Sequence, residues 1–526
     1  MSHSKAPSYA YLKVNSTSGN ITTSATAIFD TDLYSGTNPT STITSDLTWT
    51  ETAGTITFSE HGAYHVMFAC TCQNSADAEM TVAFRINGNK VYEAAVTIAG
   101  GSTYDPVERT FQAIIEVSPG DELVIDALVA SGNLNVMTGS TAVIAKITSN
   151  IYGFFAVSAA SGTVTATEFN PWDLDLLVGL AFGFSATNGV SYQPNDADHP
   201  FKITTPGRYV VCVSHIIEAN AGGSNVTIKL LKNGSEVSGT RQVLKSKTTD
   251  DPGEGTMYLV LDLAEDDEIG TTWDTGLSAP QGIHAHEGAG FSIYKLSEDD
   301  TPFRDGNRQD AYITVTNGTD ASTATASAFN PFLSTAYSSV TFISQATKGI
   351  THYPAAGSFR ITEYSNVKTG YYMAVFCGPL TAVSADAVAV TISILVNGVA
   401  QVTATPRVDT APDPLDRTVL GLLELSVGDD VTVTLDSDTG TLQAIAGCAF
   451  SLHRVAVTKL NPASVEELIG IDNTINTYSP DCMSVQYPST TTDPADQAPF
   501  SLGAGLRIRG TTTGNVVAIE LGDKKN

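Results

Sequence analysis

A chain of 526 residues is longer than one hydrophobic core sustains and implies three or four domains. Its 42% hydrophobic and 16% charged residues, with abundant Thr, Ser, Val, Ala and Gly, favour strands and turns and exclude a disordered chain. Set against 55 acidic residues, 27 basic ones leave a net charge of −28, which repels phosphate backbones, excludes nucleic acid as a partner and serves solubility.

The amino terminus, Met1 to Pro7, is polar and has no apolar signal core. A short aromatic strand is expected around Tyr11, with Phe29-Asp30 downstream. Gly62-Ala63-Tyr64 opens a longer strand in which Tyr64, Val66, Phe68 and Cys70 alternate, so one buried face is expected. The apolar run Val82 to Ile86 leads into Asn87-Gly88, which supplies the positive φ angles of a type I′ hairpin turn. In Asp105-Pro106-Val107-Glu108-Arg109-Thr110 the proline breaks the preceding strand, and the next starts near the threonine. The turn Gly120-Asp121 then feeds Leu123-Val124-Ile125, and Val143 to Ile147, with Lys146, closes the stretch.

The series returns twice. The second copy has a strand around Phe154, then Phe169-Asn170-Pro171-Trp172, Gly207-Arg208-Tyr209, Asn233-Gly234, Asp251-Pro252-Gly253-Glu254-Gly255-Thr256, Asp266-Asp267 and a closing strand with Lys295. The third has a strand around Tyr312, then Phe329-Asn330-Pro331-Phe332, Gly370-Tyr371-Tyr372, Asn397-Gly398, Asp413-Pro414-Leu415-Asp416-Arg417-Thr418, Gly428-Asp429 and a closing strand with Arg454. In every copy the Asp-Pro motif stands fifteen residues before the turn landmark. Three copies of one module follow, each large enough for its own core. The expected domains are 1–149, an amino-terminal arm with module one; 150–298, module two; 299–310, a polar linker; 311–457, module three; and 458–526, a docking or capping segment ending in a hairpin. Many short strands without helical periodicity give an all-β chain of three tandem antiparallel jelly-roll sandwiches plus a small β-rich tail.

Gly-x-Tyr opening a strand, Asn-Gly in mid-module, a strand ending in Gly-Asp and a closing Phe-Ser strand resemble the C1q/tumour-necrosis-factor-like jelly roll. The likeness covers about the last 90 residues of each module and is fullest in module three, through Tyr372, Asn397, Gly428, Asp429, Phe450 and Ser451. Module two departs at Asp266, where the turn glycine is missing, and module one lacks the closing Phe-Ser. The resemblance implies threefold assembly, as a pseudo-trimer within one chain or as three chains stacked in a fibre. Tandem modules of this kind also look like virion proteins of tailed phages.

Chemical motifs are sparse. Cys70, Cys72, Cys212, Cys377, Cys448 and Cys482 form no repeating framework, so buried free thiols are expected. His284 and His286 suggest a metal half-site, but without counterparts in the other copies a loop pair is preferred. Glu265 to Glu268 and Glu298 to Asp300 lack a calcium-loop spacing and read as solvated turns. The acid–arginine pairs Glu108/Arg109 and Asp416/Arg417 are read as turn formers, because Gly255 replaces the arginine in module two. Trp172 and Trp273 are read as core rather than sugar platforms. No phosphate loop, nucleophile elbow or dinucleotide fingerprint occurs. No eighteen-residue apolar stretch occurs either, and no membrane is expected.

The expectation is a non-enzymatic virion structural protein without cofactor or metal, a phage capsid decoration or head fibre. It would assemble in the host cytoplasm and be displayed on the virion surface, with capsid or other virion proteins as partners. The alternatives are a tail fibre that binds a host surface glycan and, from another class, a glycan-degrading enzyme.

Overall fold

In the computed structural model the described residues are 8–98, 107–149, 151–157, 168–172, 182–186, 189–192, 201–219, 224–246, 253–275, 283–296, 311–317, 324–362, 367–383, 388–408, 415–438, 440–460, 500–502, 506–510 and 517–521. They form an all-β protein. Three single-turn 3-10 helices, at Thr31–Leu33, Glu51–Ala53 and Ser334–Ala336, are the helical elements among them.

Six antiparallel sheets come in three pairs, each pair drawn from one stretch of chain. In the first, one sheet runs Leu134–Val136, Gly62–Asn74, Thr141–Lys146, Tyr9–Lys13, Thr40–Ile43, with Val107–Val117 along the free side of Gly62–Asn74. Its companion runs Leu47–Thr50, Thr55–Phe58, Glu122–Val129, Ala78–Ile86, Asn89–Ile98. The chain alternates between the two, so neither sheet can form without the other, and their facing side chains make the sandwich core. The same frame recurs. Gly207–Ala219 lies between Gly253–Leu263 and Gly290–Lys295, and Val367–Ala382 lies between Leu415–Ser426 and Ala449–Leu460. Register is shared as well, because Tyr64, Tyr209 and Tyr372 sit opposite Lys146, Lys295 and Arg454.

Burial departs from the sequence expectation in one respect. Alternation in Gly62–Asn74 predicted one buried face, yet His65, Met67, Ala69 and Thr71 are buried along with Tyr64, Val66, Phe68 and Cys70. The second face is covered by the other repeats. In Val367–Ala382 the alternate residues Tyr372, Ala374 and Phe376 join the third sandwich's own core. Met373, Val375 and Cys377 join a cluster that runs without a break through the first two repeats. A sheet covered on both faces loses its polar stripe, and sequence alternation then underestimates burial.

The closing strand of the third repeat runs to Leu460, past the boundary drawn at 457, and stays in the ladder with Val367. The expected final hairpin is present as Leu506–Gly510 against Val517–Leu521, and Phe500–Leu502 adds a third strand. The linker 299–310 lies outside the described residues.

Candidate functional site, the seam between the three repeats

Two landmarks that look independent in sequence meet in space. Asn87 Nδ2 donates to Asp121 Oδ1 at 2.7 Å, and the Glu122 amide donates to Asn87 Oδ1 at 2.9 Å. The other carboxylate oxygen of Asp121 accepts from the Ser118 amide at 2.7 Å. The same three bonds recur through Asn233 and Asp267, and through Asn397 and Asp429. Each Asn-Gly pair has positive φ at both residues, at Asn87, Asn233 and Asn397 and at Gly88, Gly234 and Gly398, as a type I′ turn requires. Gly120 and Gly428 sit at φ 90 and 94, and the second repeat places Asp266 there at φ 68. An L residue pays about 1 kcal/mol for that conformation, and the Asp266 carboxylate's ion pair with Lys202 is exposed to solvent. Asp266→Gly is therefore expected to raise the denaturation midpoint of the second repeat, read by chemical unfolding; a lower midpoint would show that the ion pair outweighs the strain.

Further upstream, Asn170 Oδ1 accepts from the Trp172 amide at 2.9 Å and Asn330 Oδ1 from the Phe332 amide at 2.8 Å. Asp30 does the same for Asp32 at 2.9 Å, so the first repeat keeps the turn with a carboxylate. Trp172 and Trp273 are buried. The motif residues Asp105, Pro106, Asp251, Pro252, Asp413 and Pro414 lie outside the described residues.

What those motifs lead into is described, and it revises the turn-forming role given to the acid–arginine pairs. Val107–Val117, Gly253–Leu263 and Leu415–Ser426 run against one another along the seam. Arg109 Nε lies 3.0 Å from Glu254 Oε2, an ion pair between the first and second repeats, and the Thr110 amide donates to Glu254 Oε1 at 2.8 Å. Both side chains are buried. Burial pushes the Glu254 carboxyl up to about 7, although Arg109, the Thr110 amide and Arg417 all pull it down. Arg417 Nε donates to the Arg407 carbonyl at 3.1 Å. The arginines thus serve the junction, and in the second repeat Leu244 fills the space beside Gly255, 2.4 Å from where a Cβ would stand.

The seam contacts repeat in one cyclic sense. At three equivalent positions, Gln112, Tyr258 and Leu420, the next repeat's closing strand supplies a hydroxyl. Ser292 donates to Gln112 Oε1, Ser451 Oγ to the Tyr258 carbonyl at 2.7 Å, and Thr141 Oγ1 to the Leu420 carbonyl at 2.9 Å. Glycines at positive φ do the same for packing. A Cβ on Gly288 would lie 2.1 Å from Ala94 Cβ, one on Gly447 2.2 Å from the Arg241 carbonyl oxygen, and one on Gly139 2.3 Å from the Thr403 carbonyl oxygen. The second repeat thus packs on the first, the third on the second and the first on the third. Tyr92 Oη adds a bond to the Gly288 carbonyl at 2.9 Å.

Sequence reasoning missed these glycines. Each stands seven residues before the basic residue of its closing strand, a constant spacing that marks them. Among the described residues no group of three His, Cys, Asp or Glu side chains is placed to hold a metal ion. His284 lies in the Ile283–Ala285 strand opposite Glu218, and the His286 amide donates to the Ile216 carbonyl at 2.9 Å. Cys70, Cys72, Cys212, Cys377 and Cys448 are buried and outside any disulfide, and Cys482 lies outside the described residues. No helix among the described residues is long and apolar enough to cross a membrane.

No family model and no curated protein sequence matches the chain. Among solved structures it is similar to the Eiger TNF of S. frugiperda, at 13% identity over 27% of this chain and 93% of that one, with a TM-score of 0.20. A structure described as the triple jelly-roll fold and turret assembly of an archaeal virus covers 85% of this chain and 95% of its own, at 9% identity and a TM-score of 0.17. PNGF-II covers 75% of this chain and 98% of its own, at 8% identity and a TM-score of 0.22. At these TM-scores the likenesses carry no argument about function.

Proposed function

We propose that the protein is a non-enzymatic display component of a virus particle, a phage capsid decoration or head fibre, and that one chain closes its three repeats into a single-chain pseudo-trimer. One observation carries the second half: the cyclic set of contacts through Gly139, Gly288 and Gly447 uses each repeat once as donor and once as acceptor, so the ring is complete within one chain. The same closure supports the first half. The apolar flanks become interior, and outward-facing sheets and loops on a chain of net charge −28 remain for presentation. The tandem organisation and its resemblance to tailed-phage virion proteins support the viral setting. The non-repeated segment 461–526, beyond the closing strand, is the natural dock, because a unique contact needs a unique surface.

Light scattering on the pure protein at neutral pH is expected to give a mass of 55.2 kDa. A mass about three times larger would reject the single-chain ring in favour of a fibre of three chains. A chain ending at residue 460, which keeps the whole closing strand, is expected to fold but no longer to co-sediment with particles that bind the full chain. Equal binding by both would remove the carboxy-terminal dock, and polysaccharide breakdown by the pure protein would overturn the non-enzymatic role.

A further inference from the structure

One aromatic stack on the seam takes a ring from each repeat. Tyr258 of the second lies between His65 of the first, with centroids 6.3 Å apart and planes at 22°, and His453 of the third, at 5.9 Å and 18°. We propose that this stack is an acid-sensitive latch, in which protonation of its imidazoles parts the repeats while each sandwich stays folded. The proposal rests on the single-chain ring.

The geometry leaves no room for a charge. His65 and His453 are 1% and 2% exposed. Neither nitrogen of His65 makes a hydrogen bond of normal geometry, and Gln112 is the one side chain that favours its charged form. The groups facing the stack are neutral. Tyr258 Oη lies 3.4 Å from His453 Nδ1, 3.1 Å from Tyr294 Oη and 3.5 Å from Met373 Sδ. Tyr294 also packs on His65, at 5.1 Å, and the thiols of Cys212 and Cys377 lie beside Tyr258. Among the described residues no carboxylate acts on either imidazole. Along the axial strand, Glu254 is four residues from Tyr258, about 13 Å at strand rise, and is already paired with Arg109.

Burial lowers His65 to about 4 and His453 to about 3, the latter also through repulsion from His65. Both values lie below the ordinary 6.5, so the parted state takes up protons first. The stability that His65 and His453 contribute to the seam is therefore complete above about pH 6.5 and falls as the pH drops toward the lowered values. His215 is a contrast. It is buried inside the second sandwich, where its Nδ1 accepts from Trp273 Nε1 at 3.1 Å, and burial lowers it to about 3. Its protonation strains one sandwich, whereas His65 and His453 charge the place where all three repeats meet.

Small-angle scattering and far-ultraviolet circular dichroism on the full chain, from pH 7.5 to 3.5, test the latch. Expansion is expected between about pH 5 and 4 with the strand signal retained and with recovery on neutralisation. The double variant His65→Phe/His453→Phe keeps the rings but cannot titrate, and its expansion is expected about one pH unit lower or later. If that variant does not fold, His65→Gln alone is expected to move the transition in the same direction. An unshifted transition in the folded variant, or expansion of the wild type together with loss of strand signal, would reject the latch. So would a His215→Phe variant that shifts the expansion as far as the seam variants do. Light scattering at pH 7.5 separates this failure from failure of the ring, since only the latter changes the neutral mass.

Discussion

Arg109→Met is expected to cost the folded chain about 1–2 kcal/mol at pH 8, because without Arg109 the buried Glu254 must hold a proton about one pH unit above the value that burial gives it. Methionine preserves most of the side-chain volume, so the loss comes from the work of protonating Glu254, which keeps the Thr110 amide beside it. The pH dependence identifies the cause. Burial already holds Glu254 above the ordinary carboxylate range, and removal of Arg109 raises it further. A carboxyl whose folded value is raised contributes stability below its unfolded value and loses it as the pH climbs through the folded one. The difference between variant and wild type should therefore shrink toward pH 5, where Glu254 takes a proton, and widen toward pH 8. Unfolding midpoints at the two pH values measure it. Adding Glu254→Gln to Arg109→Met should recover most of the loss at pH 8, because an amide carries no charge to strand. A loss equal at both pH values would mean that packing around Arg109, rather than its charge, holds the first and second repeats together.

The repeat was legible in the sequence because turn chemistry is local. Asn-Gly and Gly-Asp mark positive φ at the recurring turn landmarks Asn87, Asn233, Asn397, Gly120 and Gly428, and their order, copied three times, needed no tertiary knowledge. The all-β class followed for the same reason, from strand-forming composition punctuated by turns. The meeting of Asn87 with Asp121 was not legible, since 34 residues separate them and only the sandwich brings their turns together. The seam was hidden more thoroughly. Arg109 and Glu254 sit in two copies of one motif, and a motif read within its own copy suggests a local role. Their pairing across copies depends on the handedness of the ring. The burial of His65 and Met67 was likewise not legible, because alternation describes one sandwich and is silent about a second layer on its back.

Gly288→Val is expected to open the junction between the second and first repeats, at a cost of about 2–5 kcal/mol summed from two sources. One is conformational. Gly288 sits at φ 88, where an L residue is strained, and a β-branched one most of all. The other is steric. A Cβ would lie 2.1 Å from Ala94 Cβ and 2.7 Å from Ala94 Cα, and the latter is backbone that cannot swing aside. Gly120→Val separates the two, because Gly120 has φ 90 but nothing within 4 Å of its Cβ position. Strain alone predicts equal losses from both substitutions, whereas the seam contact predicts a larger loss at Gly288. The shape of the product decides further. If Gly288 serves the ring, the valine variant should sediment more slowly at unchanged mass while keeping its strand signal, since the sandwiches do not depend on the junction. Gly139→Val and Gly447→Val, facing the Thr403 and Arg241 carbonyls, should lose stability likewise, with the larger expansion at Gly139, whose junction between the first and third repeats is the one that no linker spans. A Gly288 variant that stays compact and melts with the Gly120 variant would show the repeats to be held by the axial strands alone, with the peripheral glycine contacts incidental to closure.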